Sequence, residues 1–188
     1  MRRFPFVRLP LGFRLACRRL GVRPTRHLLV VSIRRQRLAL LEWDAQARRE
    51  PALVLRREYV ISTSRFGIGQ VMDSQCTPLG LHRIGRKAGG GWPIGVVLVH
   101  RQAVGWTWQG LPDAAIAHRV LWLEGLEPGF NRGGRVDSFA RTIYIHGVGN
   151  EMTLGRPASR GCVHLAARDL MPLYERLPVG TLVWISAE

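Results

Sequence analysis

The sequence predicts a mainly β protein, a β-sandwich with one helix in its C-terminal region and a lid-like segment in its middle. Three observations predict it. Short apolar or alternating runs recur along most of the chain. Glycine and proline punctuate these runs, with no regular strand–helix alternation. One stretch, residues 166–177, carries its apolar residues at helical spacing.

The strands follow in order. Residues 28–33 (LLVVSI) and 38–43 (LALLEW) flank the polar turn Arg34-Arg35-Gln36-Arg37 and read as a hairpin. Residues 58–64, 79–84, 95–99 and 120–124 are further strands. Residues 142–146 (TIYIH) alternate, with Ile143 and Ile145 on one face. Residues 181–186 (TLVWIS) close the series. In the helix, Leu170, Leu173, Tyr174 and Leu177 face the core. Pro172 is tolerated in a first turn, so the helix is expected to start near Asp169 and to stop at Pro178 and Gly180. Trp92, Trp106 and Trp108 lie in a glycine-flanked middle segment that is either a lid or packed core.

The 188 residues are divided into an arginine-rich segment, 1–27, read as a candidate for disorder, and one folded domain, 28–188. A chain of this length buries a sizeable core without staples. Cys17, Cys76 and Cys162 cannot all pair and lack zinc-site spacing, so the cysteines point to reactivity or burial. No metal and no cofactor is expected. No apolar run reaches transmembrane length, and Arg8 and Arg14 interrupt the one stretch that resembles a secretion signal. The net charge of +15, carried by 27 arginines and one lysine, favours anionic partners. The arginines are scattered and no nucleic-acid-binding motif is present, so no specific nucleic acid is expected.

The chemistry concentrates in residues 144–165. His146 ends a strand, and Cys162 follows sixteen residues later on the turn Ser159-Arg160-Gly161-Cys162. A nucleophilic cysteine needs a base and a lowered thiol pKa. A strand-end histidine and a cysteine on a glycine turn, joined by a loop that folds back, supply the parts. Gly161 permits the backbone angle that exposes a nucleophile, and Arg160 adds positive charge next to the sulfur.

These residues resemble the signature of the L,D-transpeptidase catalytic domain family (YkuD-type). That signature is His-Gly, a glycine-rich loop with proline, then Ser-His-Gly-Cys followed shortly by Arg. This chain has His146-Gly147, Leu154-Gly155-Arg156-Pro157-Ala158, and Ser159-Arg160-Gly161-Cys162-Val163-His164. Thr77-Pro78-Leu79-Gly80 resembles the family's Thr-Pro-x-Gly turn, and residues 179–185 its closing strand. The likeness runs over about residues 28–186. It departs twice, with Arg160 in place of the usual His and His164 in place of the usual Arg.

The resemblance implies the L,D-transpeptidase type of β-sandwich and a site made of Cys162 as nucleophile and His146 as general base and later acid. The Gly147 carbonyl would orient the imidazole. Backbone N–H groups of Gly161 and Cys162 would form an oxyanion hole, each donor worth about 3–4 kcal/mol of barrier. Ser159 and Arg160 would shape the substrate channel. His164 reads as structural, with contact to the thiolate as the alternative. The implied substrate is a peptidoglycan stem peptide, attacked at its third residue, a diamino acid held through its L-centre, with loss of terminal D-alanine and formation of a 3→3 cross-link. Carbapenem-type β-lactams would mimic it, and the implied place of action is the cell envelope or periplasm. Two other functions stand beside this one: an L,D-carboxypeptidase or related thiol hydrolase on the same scaffold, and a non-enzymatic module that binds an anionic polymer.

Overall fold

The computed structural model describes residues 9–43 and 53–188. The chain runs through helix α1 (Leu11–Leu20), then strands β1 (His27–Ser32), β2 (Arg37–Trp43), β3 (Leu53–Ser62), β4 (Gly80–Ala88), β5 (Val96–Val99), β6 (Gln102–Trp106), β7 (Ala117–Gly125), β8 (Tyr144–Gly147) and β9 (Val163–Leu165). Helix α2 (Ala167–Arg176) and strand β10 (Leu182–Ser186) follow.

The strands make one sheet in the order β4-β10-β1-β2-β3-β9-β8-β7-β5-β6. β4 pairs with β10 on one side and with β7 on the other. The sheet therefore folds over on itself and closes eight strands into a flattened ring. Closure removes the open edges that invite pairing with other chains. The β5–β6 hairpin hangs outside the ring, joined to β7 at Val97 and Ala117.

The two-residue period of each strand divides inner from outer faces. Leu29, Val31, Leu38, Leu40, Ile61, Ile84, Leu121, Leu123, Ile145, Val163, Leu165, Val183 and Ile185 fill the ring, and Leu170, Leu173 and Leu177 of α2 and its C-terminal edge join them. Each fully buried aliphatic side chain contributes about 1.5–3 kcal/mol. Two covers lie on the outer surface. α1 sets Phe13, Ala16 and Cys17 on Leu28, Leu41, Leu81 and Leu182. The β5–β6 hairpin sets Val96 and Leu98 on Val120, Trp122 and Tyr144.

Helix α1 corrects the reading of an unfolded arginine-rich segment; residues 1–8 lie outside the described residues. Phe13, Ala16, Cys17 and Leu20 recur at helical spacing and turn inward, so Arg14, Arg18 and Arg19 project outward. Gly21 ends the helix with φ +63°, and the Val22 N–H returns to the Cys17 carbonyl at 2.9 Å. Arg19 also pairs with the buried Glu127, pinning the helix to the ring.

Helix α2 starts two residues before the expected position, with Pro172 inside it. The start is set from outside, because the Glu151 carboxylate accepts the Ala167 N–H at 2.6 Å. Pro172 is tolerated because it and Arg168, whose carbonyl it leaves without an N–H, both lie on the exposed face. Strands β6 and β9 were not foreseen. β9 is three residues long, too short to show a period, and β6 (QAVGW) is diluted by glycine and alanine.

Candidate active site

β8 and β9 run parallel, with Ile145 opposite Val163, His146 opposite His164 and Gly147 opposite Leu165. The isoleucines of this segment face the ring interior, so Tyr144 and His146 face outward, as do Cys162 and His164. The ladder thus brings His146, Cys162 and His164 onto one outer face, despite the loop between the base and the cysteine. Parallel strands need a long connection, and residues 148–162 provide it.

His146 is buried at 2% exposure. Its Nδ1 lies 2.8 Å from the Gly147 carbonyl oxygen. A carbonyl only accepts, so Nδ1 carries the proton and Nε2 presents a lone pair. Burial, and next the neighbouring His164, push His146 down to about 3. Gly147 is required for a steric reason as well: a Cβ there would come within 2.4 Å of the His118 ring and 2.8 Å of the Ala117 carbonyl. His118 has a scaffold role, with Nδ1 accepting the Gly95 N–H at 2.7 Å and Nε2 donating to the Val148 carbonyl at 3.2 Å.

Cys162 is half-buried. Its sulfur receives the Tyr144 N–H at 3.4 Å, and the thiol donates to the Thr142 carbonyl at 3.5 Å. Burial pushes this thiol up to about 11, against the pull of the Tyr144 N–H and of Arg141. At neutral pH the site therefore rests as an uncharged thiol and an uncharged imidazole. The cation acting on the sulfur is Arg141, not Arg160 as the sequence suggested; Arg160 is exposed. Arg141 also ties down the segment beside the cysteine, donating to the carbonyls of Gln70 at 2.8 Å and Cys76 at 2.7 Å.

Gly161 takes φ +116°, a left-handed value suited to glycine. A Cβ at this position would press on the Cys76 carbonyl at 3.2 Å and on Ile143 at 3.3 Å. The Gly161 N–H is given to Ser159 Oγ at 3.2 Å, and that hydroxyl donates to the Cys162 carbonyl at 2.6 Å. Ser159 is thus a brace within the turn, buried at 1% exposure. Thr77, from the Thr-Pro-x-Gly turn, supports the other side: its hydroxyl donates to the Gly161 carbonyl and accepts the Ser64 N–H, both at 3.0 Å.

His164 meets His146 edge-on, ring centroids 4.8 Å apart. Its Nδ1 is buried without a hydrogen-bond partner among the described residues, and burial holds the ring down near 4. The β5–β6 hairpin leans over the same face. Its tip residue Arg101 donates to the Tyr144 hydroxyl at 3.0 Å. Trp106 stacks on Trp108 at 5.2 Å and meets Trp92 at 5.9 Å, so the tryptophans form a cluster of their own on the hairpin and its flanks. Among the described residues no group of His, Cys, Asp and Glu is arranged to hold a metal ion.

Comparison with known proteins decides the family. The model of the YkuD family, described as the L,D-transpeptidase catalytic domain, matches residues 26–185. The chain belongs to the L,D-transpeptidase catalytic domain family. No curated protein matches it. Among solved structures, Bdellovibrio bacteriovorus Bd1075 is 14% identical with a TM-score of 0.56, the match covering 87% of this chain and 49% of that one. The avibactam carbamoyl enzyme of Ldtfm is 12% identical with a TM-score of 0.52, covering 87% and 50%. An L,D-transpeptidase from Mycobacterium smegmatis is 14% identical with a TM-score of 0.49, covering 86% and 59%. At these identities the likeness is one of fold. This L,D-transpeptidase domain spans about half the length of the Bdellovibrio chain. The mainly β fold, expected from strand spacing and from the motif, is the observed one.

Two supporting roles escaped the sequence reading, those of Arg141 and Tyr144, because each acts across the ladder rather than along the chain; His118 reads from the sequence as scaffold or surface, and it is scaffold. Tyr144 alone left a trace, two residues before His146 on the same face of a strand.

Proposed function

We propose that the protein is a peptidoglycan L,D-transpeptidase that acts through a Cys162 thioester. The observation that supports this most is the outer face shared by β8, β9 and the residue before β9, which carries both Cys162 and His146, a histidine whose tautomer is fixed by the Gly147 carbonyl. Because the resting pair is uncharged, His146 acts as a base during attack and not as a standing imidazolium. The thiol leaves the Thr142 carbonyl and passes its proton to His146 Nε2. The sulfur bonds to the carbonyl carbon of the third stem residue. The bond to the terminal D-alanine breaks, and the imidazolium returns its proton to the departing amine. An amine of a second stem then attacks the thioester, gives its proton to His146 and makes a 3→3 cross-link, and the departing thiolate takes that proton back.

With the Gly161 N–H engaged by Ser159, the oxyanion donor in this reading is the Cys162 N–H. Ser159 and Arg160 bound the approach, Ser159 as a brace and Arg160 from the solvent side. His164 lowers the basicity of His146 and excludes water from its ring. The +15 charge suits an anionic wall polymer, and the substrate places the work in the cell envelope.

Intact-protein mass spectrometry tests the nucleophile. A carbapenem is expected to add one adduct to the wild-type protein and none to Cys162→Ala. A wild-type protein that stays unmodified would sink the proposal. Muropeptide analysis of tetrapeptide stems, with and without an acceptor amine, separates cross-linking from the carboxypeptidase alternative.

A further inference from the structure

Beside the site, under the tip of the β5–β6 hairpin, is a small cavity of about 180 Å³ lined by Arg86, Lys87, Ala88, Arg101, Val120 and Trp122. Its floor is aromatic. Trp122 stacks flat on Phe139, centroids 3.9 Å apart and planes 4° apart, and its indole N–H is held by the Phe139 carbonyl at 3.0 Å. With one face of Trp122 covered by Phe139, the Arg101 guanidinium at 4.4 Å from the ring lies over the other face. Arg86 stands at the rim of the same stack, 5.9 Å from Trp122 and 5.5 Å from Phe139.

The cations in this cavity are of two kinds. Lys87 is committed, its ammonium donating to the Tyr174 and Leu177 carbonyls at 2.6 and 2.9 Å. Arg86 and Arg101 have no carboxylate partner among the described residues, and the neighbouring acids are already engaged. Glu124 is held by both arms of Arg83 at 2.9 Å, and Asp137 accepts the backbone N–H groups of Gly133, Phe139 and Ala140. Two planar guanidinium forks beside one small aromatic-floored cavity suit a single carboxylate. Arg101 is set there by the turn: His100 and Arg101 are its two central residues, and their left-handed φ values, +48° and +69°, are those of a tight two-residue hairpin turn. The cavity also connects to the nucleophile. Arg101 holds the Tyr144 hydroxyl, Tyr144 meets Trp122 edge-on at 5.4 Å, and the Tyr144 N–H touches the Cys162 sulfur.

We propose that Arg86 and Arg101, set over the Trp122–Phe139 stack, form a subsite that binds a carboxylate of the acyl donor and so selects donors that carry one near the attacked carbonyl. This rests on the transpeptidase reading and adds a substrate preference to it.

The test uses two tetrapeptide-stem donors that differ in one group, the free carboxylate at the distal centre of the third residue or its carboxamide. Release of the terminal residue is followed with each. The wild-type protein is expected to prefer the carboxylate on the order of tenfold in kcat/KM, most of it in KM. Arg86→Ala and Arg101→Ala are each expected to bring the ratio close to one. The ratio is taken within each variant, so a general loss of activity cancels. Arg101→Ala also releases Tyr144, so Arg86→Ala decides if Arg101→Ala fails to fold. Equal use of both donors by the wild-type protein, or a preference that survives in Arg86→Ala, overturns the subsite and leaves the transpeptidase reading standing. Turnover of neither donor overturns both.

Discussion

At the scale of single residues, the site stores its chemistry in neutral form. His146 near 3, His164 near 4 and His82 near 4 all sit below the ordinary imidazole value, because burial disfavours the cation. The unfolded chain takes up protons on these rings below about pH 6.5, while the folded chain refuses them until the pH is near 3 to 4. Stability from these groups is therefore complete above about pH 6.5 and is lost as the pH falls through the folded values. Tm is expected to drop by roughly 5 °C or more between pH 7 and pH 4. His164→Asn should show a smaller drop; an unchanged drop would remove His164 from this account. The family motif, rather than spacing alone, made Cys162, His146 and Gly147 candidates, because it concentrates them in one segment. Arg141 was not legible, since its guanidinium reaches back to carbonyls at Gly69, Gln70 and Cys76, more than sixty residues earlier.

At the scale of elements, the strands that line the ring were legible because burial on one face imposes a two-residue period. Helix α1 was not, because eight arginines in the first 26 residues obscure the apolar stripe of Phe13, Ala16, Cys17 and Leu20. That stripe makes α1 part of the domain. Phe13 is 1% exposed and meets Trp184 edge-on at 6.2 Å. Phe13→Ala is expected to destabilise the protein by about 3–5 kcal/mol, measured by urea unfolding. A loss under about 1 kcal/mol would mean that the helix is a loose appendage. The β5–β6 hairpin was legible as a lid-like middle segment and no further. The contacts that make it a cover, of Arg101, Val96 and Leu98 with β7 and β8, are encoded by no local pattern.

At the scale of the whole molecule, closure governs which parts open first. Strands inside the ring have partners on both sides, whereas β6 pairs with β5 alone. Hydrogen exchange should therefore be slowest at amides such as Leu29, Ile145 and Val183 and fastest in β6. Equal protection across the two would contradict the ring.

The parallel pairing of β1 with β10, Leu28 beside Leu182, carries one more consequence. A nascent chain without β10 leaves β1 and β4 with unsatisfied flanks, so the barrel-like closure waits until synthesis has passed Ser186. A ribosome-bound chain that has not yet released β10 therefore carries an open sheet with two bare flanks, at β1 and at β4.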